Sequence, residues 1–478
     1  MTLGELFGAL AGGDAGVPVS SLAYDDRDVR PGTVFFCVPG LTRDGHDFAP
    51  AAIERGAAAV VVDRPLGLAV PQIRVDDVRA AMAPAAALLH GDPTARLALV
   101  GITGTNGKTT TAFLTRALLE EGGRRTGLLG TVDQVVGGVA APAVRTTPEA
   151  IDLQATFAAM LDAGDDACVM EVSSHALELH RVDAIHWRVA VFTNLTQDHL
   201  DFHSSMDDYF LAKRRLLEAD AGLRVTNVDD AFGRRLAEDF PDALTIGIDS
   251  DDAALRAGDL RADFTGTSFR AGGMELRVGL PGTFNVLNAL GAVAAARHLG
   301  VDDPTIAAAL PAALTAPGRF QPVDEGQDFA VLVDYAHTPD SLDNVLRAAR
   351  GLTKGRVITV FGCGGDRDRA KRPLMGEIAA READAVVVTS DNPRSEDPDT
   401  IIGEILAGVP ASAAGRVEAI EDRRAAISRG VELARGGDVL VIAGKGHEQG
   451  QELTGGRKVP FDDAAVAHEL LRVLGSPS

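Results

Sequence analysis

The sequence predicts an α/β fold with mainly parallel sheets, and two observations support that prediction. Short apolar runs recur along the 478-residue chain, and each is followed by a Gly-rich or polar turn and then by a helical pattern. Such βα units favour parallel sheets, because successive parallel strands need a crossover connection between them. At roughly 100–200 residues per domain, the length predicts about three domains. The predicted strands are 58–62, 97–102, 168–172, 189–193, 330–334, 357–361, 385–389 and 439–443.

Two breaks in this pattern mark the predicted domain boundaries. Gly91-Asp92-Pro93 is a turn-forming sequence just before a strong strand, and Ala316-Pro317-Gly318 separates an Ala-rich helical stretch from the next strand. We therefore expect a small α/β N-terminal domain over residues 1–92, a central domain over 93–317 and a C-terminal domain over 318–478.

Composition excludes several classes of protein. With 46 Lys and Arg against 68 Asp and Glu, the net charge is −22, which argues against a sequence-independent nucleic-acid binder. No apolar run approaches the roughly 18 residues that a membrane helix needs, so membrane insertion is not expected. The N-terminus lacks the positive segment of a secretory signal. Three cysteines, Cys37, Cys168 and Cys363, share no metal-ligand spacing, and together these features favour the reducing cytoplasm.

Gly104-Thr105-Asn106-Gly107-Lys108-Thr109 has the pattern of a phosphate-binding loop. A buried apolar run precedes it, and Thr110 continues into a helical pattern rich in Ala and Leu. In such a loop, backbone N–H groups and a helix N-terminus hold phosphate, while Lys108 reaches the β- and γ-phosphate oxygens and Thr109 binds Mg²⁺. Ile102 stands where the G-x-x-x-x-G-K-[ST] pattern has its first Gly, so this motif is shorter. An ordinary Gly-rich βα turn is the alternative interpretation.

Several further motifs follow the loop, and the whole set resembles the Mur ligases, the ATP-dependent amide-forming enzymes of peptidoglycan precursor synthesis. The resemblance implies a UDP-binding N-terminal domain, a central P-loop ATP-binding domain and a Rossmann-like C-terminal domain that binds an amino acid. That plan agrees with the two predicted boundaries. The motifs lie at 25–32, 40–46, 146–149, 171–175, 194–201, 209–214, 282–288, 333–339, 364–368, 391–394 and 444–448.

Amide synthesis must first activate a carboxylate, and transfer of the ATP γ-phosphoryl group to give an acyl phosphate is the obvious route. Mg²⁺ and Lys would then neutralise the anionic groups that meet in this step. The resemblance implies that Glu171 and His199 join Thr109 as ligands of two Mg²⁺ ions. Each of the two could instead be an ordinary polar side chain at a strand end.

Lys213, in Tyr209-Phe210-Leu211-Ala212-Lys213-Arg214, matches a lysine that the family carbamylates with CO₂. The reaction turns a cation into an anionic metal ligand, and it requires a neutral amine, which a lysine supplies where its surroundings lower its pKa. The resemblance therefore implies catalytic roles for Lys108, Lys213 and His199. An exposed helical lysine is the alternative for Lys213.

The resemblance also implies the residues that contact the two nucleotides. Asn285 resembles the adenine contact, and Asp334 with His337 resembles an ATP motif of the C-terminal domain; capping or turn roles are the alternative. Asp26 stands where relatives usually have Ser, and its carboxylate would repel a diphosphate unless it faces away or accepts from the uracil N–H. The residues implied for the UDP-sugar are Asp26, Arg27, His46, Thr146, Thr147, Ser173 and Arg181.

Asp391-Asn392-Pro393-Arg394 is the most specific motif, and it resembles the signature of family members that add meso-diaminopimelate. Diaminopimelate is lysine with an extra distal carboxylate, which an Arg394 guanidinium can pair with bidentately. A site built around such a pair rejects the analogue that lacks it by about 10⁴-fold, because lysine would leave Arg394 unpaired. A turn with a solvated Arg is the alternative. The residues implied for diaminopimelate are Arg367, Asp391, Asn392, Arg394, Gly444 and Glu448.

The expected activity is ATP-dependent addition of meso-diaminopimelate to the D-glutamate γ-carboxylate of UDP-N-acetylmuramoyl-L-alanyl-D-glutamate, by a monomer. Three alternatives remain at this point. The same ligase could add L-lysine or another diamino acid. The chain could be a folylpolyglutamate synthetase, which shares the P-loop ligase plan. It could also be a P-loop GTPase or kinase, although no Asn-Lys-x-Asp guanine-reading motif is present.

Overall fold

The structure is a computed structural model, and it describes residues 1–40, 43–313 and 316–475. The chain divides into two compact units. Unit 1 comprises Met1–Thr103, Gly123–Val191 and Ala212–Arg224, and unit 2 comprises Gly104–Gly122, Phe192–Leu211 and everything described from Val225 onward. The three domain ranges expected from the sequence stay a prediction. Among the helices of the described ranges, none combines the length and the apolar character that crossing a membrane requires.

The N-terminal part of unit 1 is a four-stranded parallel sheet in the order β1-β2-β3-β4. The two central strands, β2 and β3, are almost wholly apolar and buried, as strands covered on both faces are. One apolar cluster packs Val34, Phe36 and Val61 against the helices. The elements are α1 Leu3–Phe7, β1 Ser21–Ala23, β2 Thr33–Phe36, α2 Ala49–Glu54, β3 Ala57–Val62, β4 Gln72–Arg74 and α3 Val78–Leu89.

The rest of unit 1 is built around six neighbouring strands in the order β10-β5-β9-β6-β7-β8. β5, β9 and β6 pair in parallel, whereas β7 and β8 continue the sheet as antiparallel strands. The elements, some of which reach into unit 2, are β5 Ala98–Thr103, α4 Lys108–Glu121, β6 Thr126–Leu129, β7 Asp133–Val136, β8 Val139–Pro142, α5 Ala150–Asp162, β9 Ala167–Glu171, α6 Ser174–Glu178, β10 Trp187–Phe192 and α7 Met206–Glu218.

The first part of unit 2 after α7 contains five neighbouring strands in the order β11-β12-β13-β14-β15. β11, β12 and β13 pair in parallel, and β13, β14 and β15 form antiparallel hairpins. The elements are β11 Leu223–Asn227, α8 Ala231–Asp239, β12 Leu244–Gly247, β13 Leu255–Asp263, β14 Gly266–Ala271, β15 Met274–Val278, α9 Thr283–His298 and α10 Asp303–Ala309.

The C-terminal part of unit 2 is a six-stranded sheet in the order β16-β17-β21-β18-β19-β20, in which only β16 is antiparallel to its neighbour. Strands β22 and β23 form a separate hairpin. The elements are β16 Gln321–Val323, β17 Ala330–Asp334, α11 Pro339–Leu352, β18 Val357–Phe361, α12 Lys371–Glu382, β19 Ala385–Val388, α13 Pro398–Leu406, β20 Val417–Ala419, α14 Arg423–Leu433, β21 Val439–Ala443, β22 Gly450–Leu453, β23 Arg457–Pro460 and α15 Asp463–Gly475.

The predicted fold class is confirmed, and each of the eight predicted strands is a strand in the structure. Three have the predicted bounds, and the others differ by one or two residues at an end, because pairing with the neighbouring strand, not the apolar run, sets where a strand stops. Strands β17, β21, β18 and β19 are parallel neighbours, so their carboxyl ends share one edge of the sheet. Ligands of open α/β sheets bind at that edge.

Candidate active site

The predicted phosphate loop joins β5 to α4, and neighbouring segments of unit 2 fix its backbone. Asn194 accepts from Thr105 N through its carbonyl (2.8 Å) and from Asn106 N through its side-chain Oδ1 (2.9 Å). Thr193 Oγ1 donates to the Asn106 carbonyl at 2.6 Å. These three hydrogen bonds hold the loop backbone through neutral groups, and the Asp340 carboxylate adds a charged partner by accepting from Asn106 Nδ2 at 2.9 Å.

Two glycines are required by that shape. Gly107 precedes α4 with a φ of +86°, and a Cβ on it would lie 2.2 Å from Asn288 Oδ1. Gly104 has a φ of +146°, and a Cβ on it would lie 1.9 Å from Thr193 Oγ1. Only glycine fits either position. The first N–H groups of α4 have no intrahelical partner, which leaves them for an anion.

Lys108 lies at the first position of α4 and folds back over the loop. Its Nζ donates to the carbonyls of Gly104 and Thr105, both at 2.9 Å. Thr109 and Thr110 follow in the first turn, and both are buried. The structure thus brings together all seven residues that the sequence predicts for the phosphate loop.

Arg319 is a residue that the sequence analysis missed. Its Nη2 donates to Thr109 Oγ1 at 3.2 Å, and its guanidinium stacks over the Tyr335 ring at 4.3 Å. The sequence indicates only a domain boundary at Ala316-Pro317-Gly318, yet the residue that follows this turn brings a cation to the loop. A lone Arg after a turn carries no signal in one sequence, because its contact is more than 200 residues away.

Asp334 ends β17 as predicted, and its carboxylate organises the backbone around it. It accepts from Phe320 N at 2.7 Å and from Ala336 N at 2.8 Å. Phe320 adopts a φ of +47°, a left-handed backbone that non-glycine residues rarely show. Burial raises the pKa of Asp334.

His337 and His199 flank the same buried carboxylate, Asp198. The Nε2 atom of His199 is 3.4 Å from Asp198 Oδ2, and that of His337 is 4.0 Å away. Burial and the nearby Lys371 ammonium lower the pKa of His337 to about 4. Although burial alone would raise it, the pKa of Asp198 is lowered to about 2 by His199, His337 and Lys371.

Asn285, the predicted adenine contact, lies in the first turn of α9 and is buried. Its Nδ2 donates to the Pro281 carbonyl at 2.7 Å, and its Oδ1 accepts from Asn288 Nδ2 at 3.2 Å. Asn288 was not predicted as a site residue, but it touches both Asn285 and the loop glycine Gly107. The signal available in the sequence was an Asn pair at i and i+3 in an Ala-rich helix.

Within unit 1, Glu171 ends β9 and is almost fully buried. Thr131 donates to its two oxygens from N (2.8 Å) and from Oγ1 (3.0 Å). The Thr131 hydroxyl also lies 3.1 Å from Thr146 Oγ1. Thr147 Oγ1 donates to the Glu171 carbonyl at 2.9 Å. The segment at 171–175, where a metal ligand is predicted, and the segment at 146–149, where UDP-sugar contacts are predicted, are therefore one hydrogen-bonded group.

Ser173 and Arg181 belong to that group as well. Ser173 N donates to Thr147 Oγ1 at 3.1 Å, and Arg181 Nη1 donates to the Thr147 carbonyl at 3.1 Å. Arg181 Nη2 pairs with Glu149 at 2.9 Å, and Glu149 also pairs with Arg79 and Arg145. Three guanidinium groups therefore surround Glu149, and Asp152 is a second carboxyl group close to Arg145 and Glu149.

Thr109, Glu171, His199 and Lys213 are the predicted metal ligands. Glu171 and Lys213 belong to unit 1, while Thr109 and His199 belong to unit 2. Within the described ranges, no group of three or more His, Cys, Asp or Glu side chains could hold a metal by itself. Mg²⁺ is usually bound by one or two carboxylates together with substrate phosphates and water, and the oxygen donors of Thr109 in unit 2 and of Glu171 in unit 1 are each of a kind that it binds. Lys213 is 1% exposed, which excludes the alternative of an exposed helical lysine.

The predicted UDP residues of the N-terminal sheet are held by opposite charges. His46 is buried between two carboxylates, with Nδ1 2.7 Å from Asp44 Oδ1 and Nε2 3.2 Å from Asp63 Oδ1. The Asp26 carboxylate pairs with Arg55, which neutralises it. Arg27 Nε donates to Asp25 at 2.9 Å. In the described part of the chain no hydrogen bond or ion pair joins His46 to Asp26 or Arg27.

The Asp391–Arg394 segment follows β19, and Gly444 follows β21 two strands away, so both lie at the carboxyl edge of the C-terminal sheet. Lys445 Nζ donates to Asn392 Oδ1 (2.9 Å) and pairs with Glu448 Oε2 (3.0 Å) and Asp391 Oδ1 (3.3 Å). Asn392 Nδ2 also donates to Glu448 Oε2, at 2.8 Å. Three of the predicted amino-acid ligands are therefore joined by one lysine.

Arg394 has partners already, which changes the specificity argument. Its Nε donates to Glu452 Oε2 at 3.1 Å, and its Nη1 donates to the Gly365 carbonyl at 2.7 Å. The expectation that lysine would leave this guanidinium unpaired is wrong, because Glu452 on β22 pairs with it. Among the described residues, no hydrogen bond uses Arg394 Nη2, so that nitrogen is the donor that can face a substrate carboxylate. Arg367 is exposed nearby and donates to the neighbouring carbonyl of Asp366 at 3.0 Å.

Comparison with known proteins gives one consistent family. Three family models cover most of the chain: "Mur ligase family, catalytic domain" at residues 18–90, "Mur ligase middle domain" at 102–296 and "Mur ligase, glutamate ligase domain" at 318–446.

Full-length relatives carry a more specific name. The UDP-N-acetylmuramoyl-L-alanyl-D-glutamate--2,6-diaminopimelate ligase of Syntrophomonas wolfei is 48% identical over 95% of both chains. The protein of the same name from Solibacter usitatus is 46% identical over 99% of both. A solved structure of a ligase with that name is 32% identical, with a TM-score of 0.72 over the full length of both chains.

Proposed function

The chain belongs to the Mur ligase family, and we infer that it is the ATP-dependent ligase that adds meso-diaminopimelate to UDP-N-acetylmuramoyl-L-alanyl-D-glutamate. The γ-phosphoryl group of ATP passes to the D-glutamate γ-carboxylate, and the resulting acyl phosphate is attacked by the neutral amine of diaminopimelate. A tetrahedral intermediate then expels phosphate, and ADP is the other product. The observation that carries the amino-acid assignment is the joined cluster of Asp391, Asn392, Lys445 and Glu448 beside Arg394.

We assign the phosphates of ATP to the loop between β5 and α4. Hydrogen bonds at Thr105 and Asn106 hold the loop backbone, the N-terminus of α4 offers the N–H groups that suit an anion, and the Lys108 and Arg319 cations both lie against this segment. Positioned donors of this kind act mainly by electrostatics, because they require no reorganisation as charge moves from ATP to the acceptor. The proposed nucleotide contacts are completed by Asp334, His337 and Asn285.

Mg²⁺ would neutralise the phosphate oxygens that meet in the transfer, and we propose Thr109, Glu171, His199 and a carbamate on Lys213 as its ligands. Thr131 holds the Glu171 carboxylate through both oxygens, which fixes the direction of its remaining lone pairs. The acceptor's peptide portion would lie along Thr146, Thr147, Ser173 and Arg181, where the Arg181 guanidinium suits a carboxylate.

The proposed UDP contacts are His46, Arg27 and Asp26, and Arg55 offsets the charge of Asp26. A cytoplasmic location and a monomeric state stay predictions.

Product mass tests the assignment directly. The purified protein is offered ATP, the UDP-muramoyl dipeptide and an equimolar mixture of diaminopimelate, lysine, ornithine and glutamate. We expect one product, the diaminopimelate adduct, and phosphate release only when acceptor and amino acid are both present. A glutamate adduct would support folylpolyglutamate-type chemistry, and phosphate release without any acceptor would indicate a nucleotide hydrolase.

Replacement of Lys213 tests the carbamate. We expect Lys213→Ala to abolish ligation and to remain inactive in high bicarbonate, since the amine that would carry the carbamate is gone. Arg214→Ala on the same helix is the matched control, because Arg214 forms an ion pair with the exposed Glu218 one turn away. Wild-type turnover in Lys213→Ala would remove the carbamate from the mechanism.

A further inference from the structure

Lys445 is a fully buried cation at the centre of the amino-acid site, and neither the sequence motifs nor the family names give it a role. It follows Gly444 at the carboxyl end of β21, and its side chain is 0% exposed. Its ammonium has three acceptors within 3.3 Å, from Asp391, Asn392 and Glu448. A charge is buried at this depth only when such partners repay its lost hydration.

The contacts of Lys445 determine what the neighbouring side chains can offer a substrate. The Asn392 Oδ1 atom is occupied by Lys445 and by Glu452 N at 2.9 Å. Glu448 receives both Lys445 and Asn392 Nδ2 on the same oxygen, Oε2. Its other oxygen, Oε1, is therefore the one that can accept from a substrate ammonium. Without Lys445, the Glu448 carboxylate would lose the cation that holds it in this orientation.

The balance of charges in the cluster also indicates that Lys445 affects specificity. The cluster formed by Asp391, Arg394, Lys445, Glu448 and Glu452 contains three carboxylates and two cations. Removal of Lys445 would leave three carboxylates against one cation. At neutral pH diaminopimelate has two ammonium and two carboxylate groups and no net charge, whereas lysine has a net charge of +1. A more negative site repels the second carboxylate of diaminopimelate and attracts the cationic lysine.

We propose that Lys445 is a positioning residue that sets amino-acid specificity, by orienting Glu448 and by offsetting the carboxylates that surround the distal end of the substrate. The inference rests on the proposed function. Arg394 is paired with Glu452, so a missing partner for Arg394 does not explain why lysine would be a poor substrate. The charge balance of the whole cluster explains it instead.

Competition between diaminopimelate and lysine in one reaction tests the proposal. The ratio of the two adducts, measured by mass, equals the ratio of their kcat/KM values and does not depend on how much of the protein is folded. We expect Lys445→Met to lower the diaminopimelate-to-lysine ratio by at least about tenfold, the effect of one charge-assisted hydrogen bond. The KM for diaminopimelate should rise, while the KM values for ATP and acceptor stay unchanged. Lys445→Arg should keep most of the wild-type ratio.

Two further variants complete the experiment, the first as a control and the second as an independent test. Arg356→Met removes a cation that pairs with Asp438 at 2.6 Å, at the amino edge of the same sheet, and should leave the ratio unchanged. Asp391→Asn removes one carboxylate facing Lys445, so it should move the ratio toward diaminopimelate. If Lys445→Met does not fold, the adduct ratio of Asp391→Asn still tests the role of Lys445.

The outcomes separate this inference from the assignment of function. If the wild-type protein makes no diaminopimelate adduct, the proposed function fails. If the wild type does so and folded Lys445→Met keeps its ratio, or Asp391→Asn lowers the ratio, the role of Lys445 is overturned. An equal rise in the KM for ATP and for diaminopimelate would indicate a purely structural role.

Discussion

The proposed ATP loop and the proposed amino-acid site lie in the same unit but are held by different interactions. The loop backbone is held mainly by neutral groups of Asn194 and Thr193, to which Lys108 and Asp340 add charged partners. The amino-acid site is held mainly by charged side chains, with Lys445 at its centre. The first site therefore depends more on the close fit of its backbone, and the second depends more on charge. A phosphate is recognised by converging N–H groups, whereas a diamino diacid has charges of both signs that must be matched one by one.

The largest effect is expected from a change of shape at the loop. Gly107→Ala places a Cβ 2.2 Å from Asn288 Oδ1 at a φ of +86°, so the loop must move. A displacement of about 1 Å is enough to lower ligation by on the order of 10²-fold. Turnover and ATP-analogue binding are the measurements.

Gly123→Ala is its matched control. Gly123 has the same φ of +86° beyond the other end of α4, and no atom lies within 4 Å of the added Cβ. Only the backbone penalty of about 1–2 kcal/mol applies there. Equal losses of ATP binding in both variants would contradict a shape-dependent loop.

Removing a charge from the amino-acid site is expected to have a smaller effect on activity, and one that is selective for diaminopimelate. Arg394→Ala removes Nη2, the donor that can face the distal carboxylate, and one charge-assisted bond of roughly 1.5–3 kcal/mol corresponds to about a 10- to 150-fold fall in kcat/KM for diaminopimelate. Binding of ATP should hardly change. Arg429→Ala, which breaks the exposed pair with Glu418, is the control. Equal losses for both substrates would point to a folding defect.

Acid should weaken the two regions in different windows of pH. His337, on the ATP side, has its pKa lowered to about 4 from 6.5, so the unfolded chain binds the proton first and stability falls as pH drops from 6.5 to 4. Glu396, which pairs with the buried Arg372 beside the amino-acid site, has its pKa lowered to about 2 from 4.5, mainly by that hydrogen bond. Its contribution is fully present above 4.5 and is lost as pH falls toward 2.

Urea unfolding across this range checks both windows. We expect His337→Gln to flatten the dependence between pH 6.5 and 4, and Glu396→Gln to flatten it only below 4.5. If His337→Gln leaves the upper window unchanged, its protonation does not govern that part of the curve.

The smallest effect is expected from a charge pair at the surface. Asp26→Ser installs the residue that relatives usually have and removes the pair with Arg55, whose side chain is 45% exposed. Exposed pairs contribute about 0–1 kcal/mol, so the free energy of unfolding should change by less than that. Binding of UDP should be unchanged or slightly tighter, since a carboxylate is removed. A large loss of UDP binding would show that the nucleotide needs the Asp26 carboxylate itself and that a serine hydroxyl cannot replace it.

The sequence predicted the eight strands because parallel strands buried on both faces are continuous apolar runs, as in β5, β9 and β21. It did not predict β13, since that strand is mostly exposed and its pattern is polar. The phosphate loop was recognisable because all its parts are adjacent in the chain. Arg319 and Asn288 were missed, since each reaches the loop only through the fold.

The sequence by itself determined the fold class, the position of the phosphate loop and the family, because periodic burial and contiguous motifs are local properties of a chain. Tertiary structure alone decided that Glu452 pairs with Arg394, that Arg55 neutralises Asp26 and that Lys445 joins Asp391, Asn392 and Glu448. These pairings link residues from different strands and loops, and the energy of a charge depends on its burial and neighbours, neither of which a linear sequence specifies.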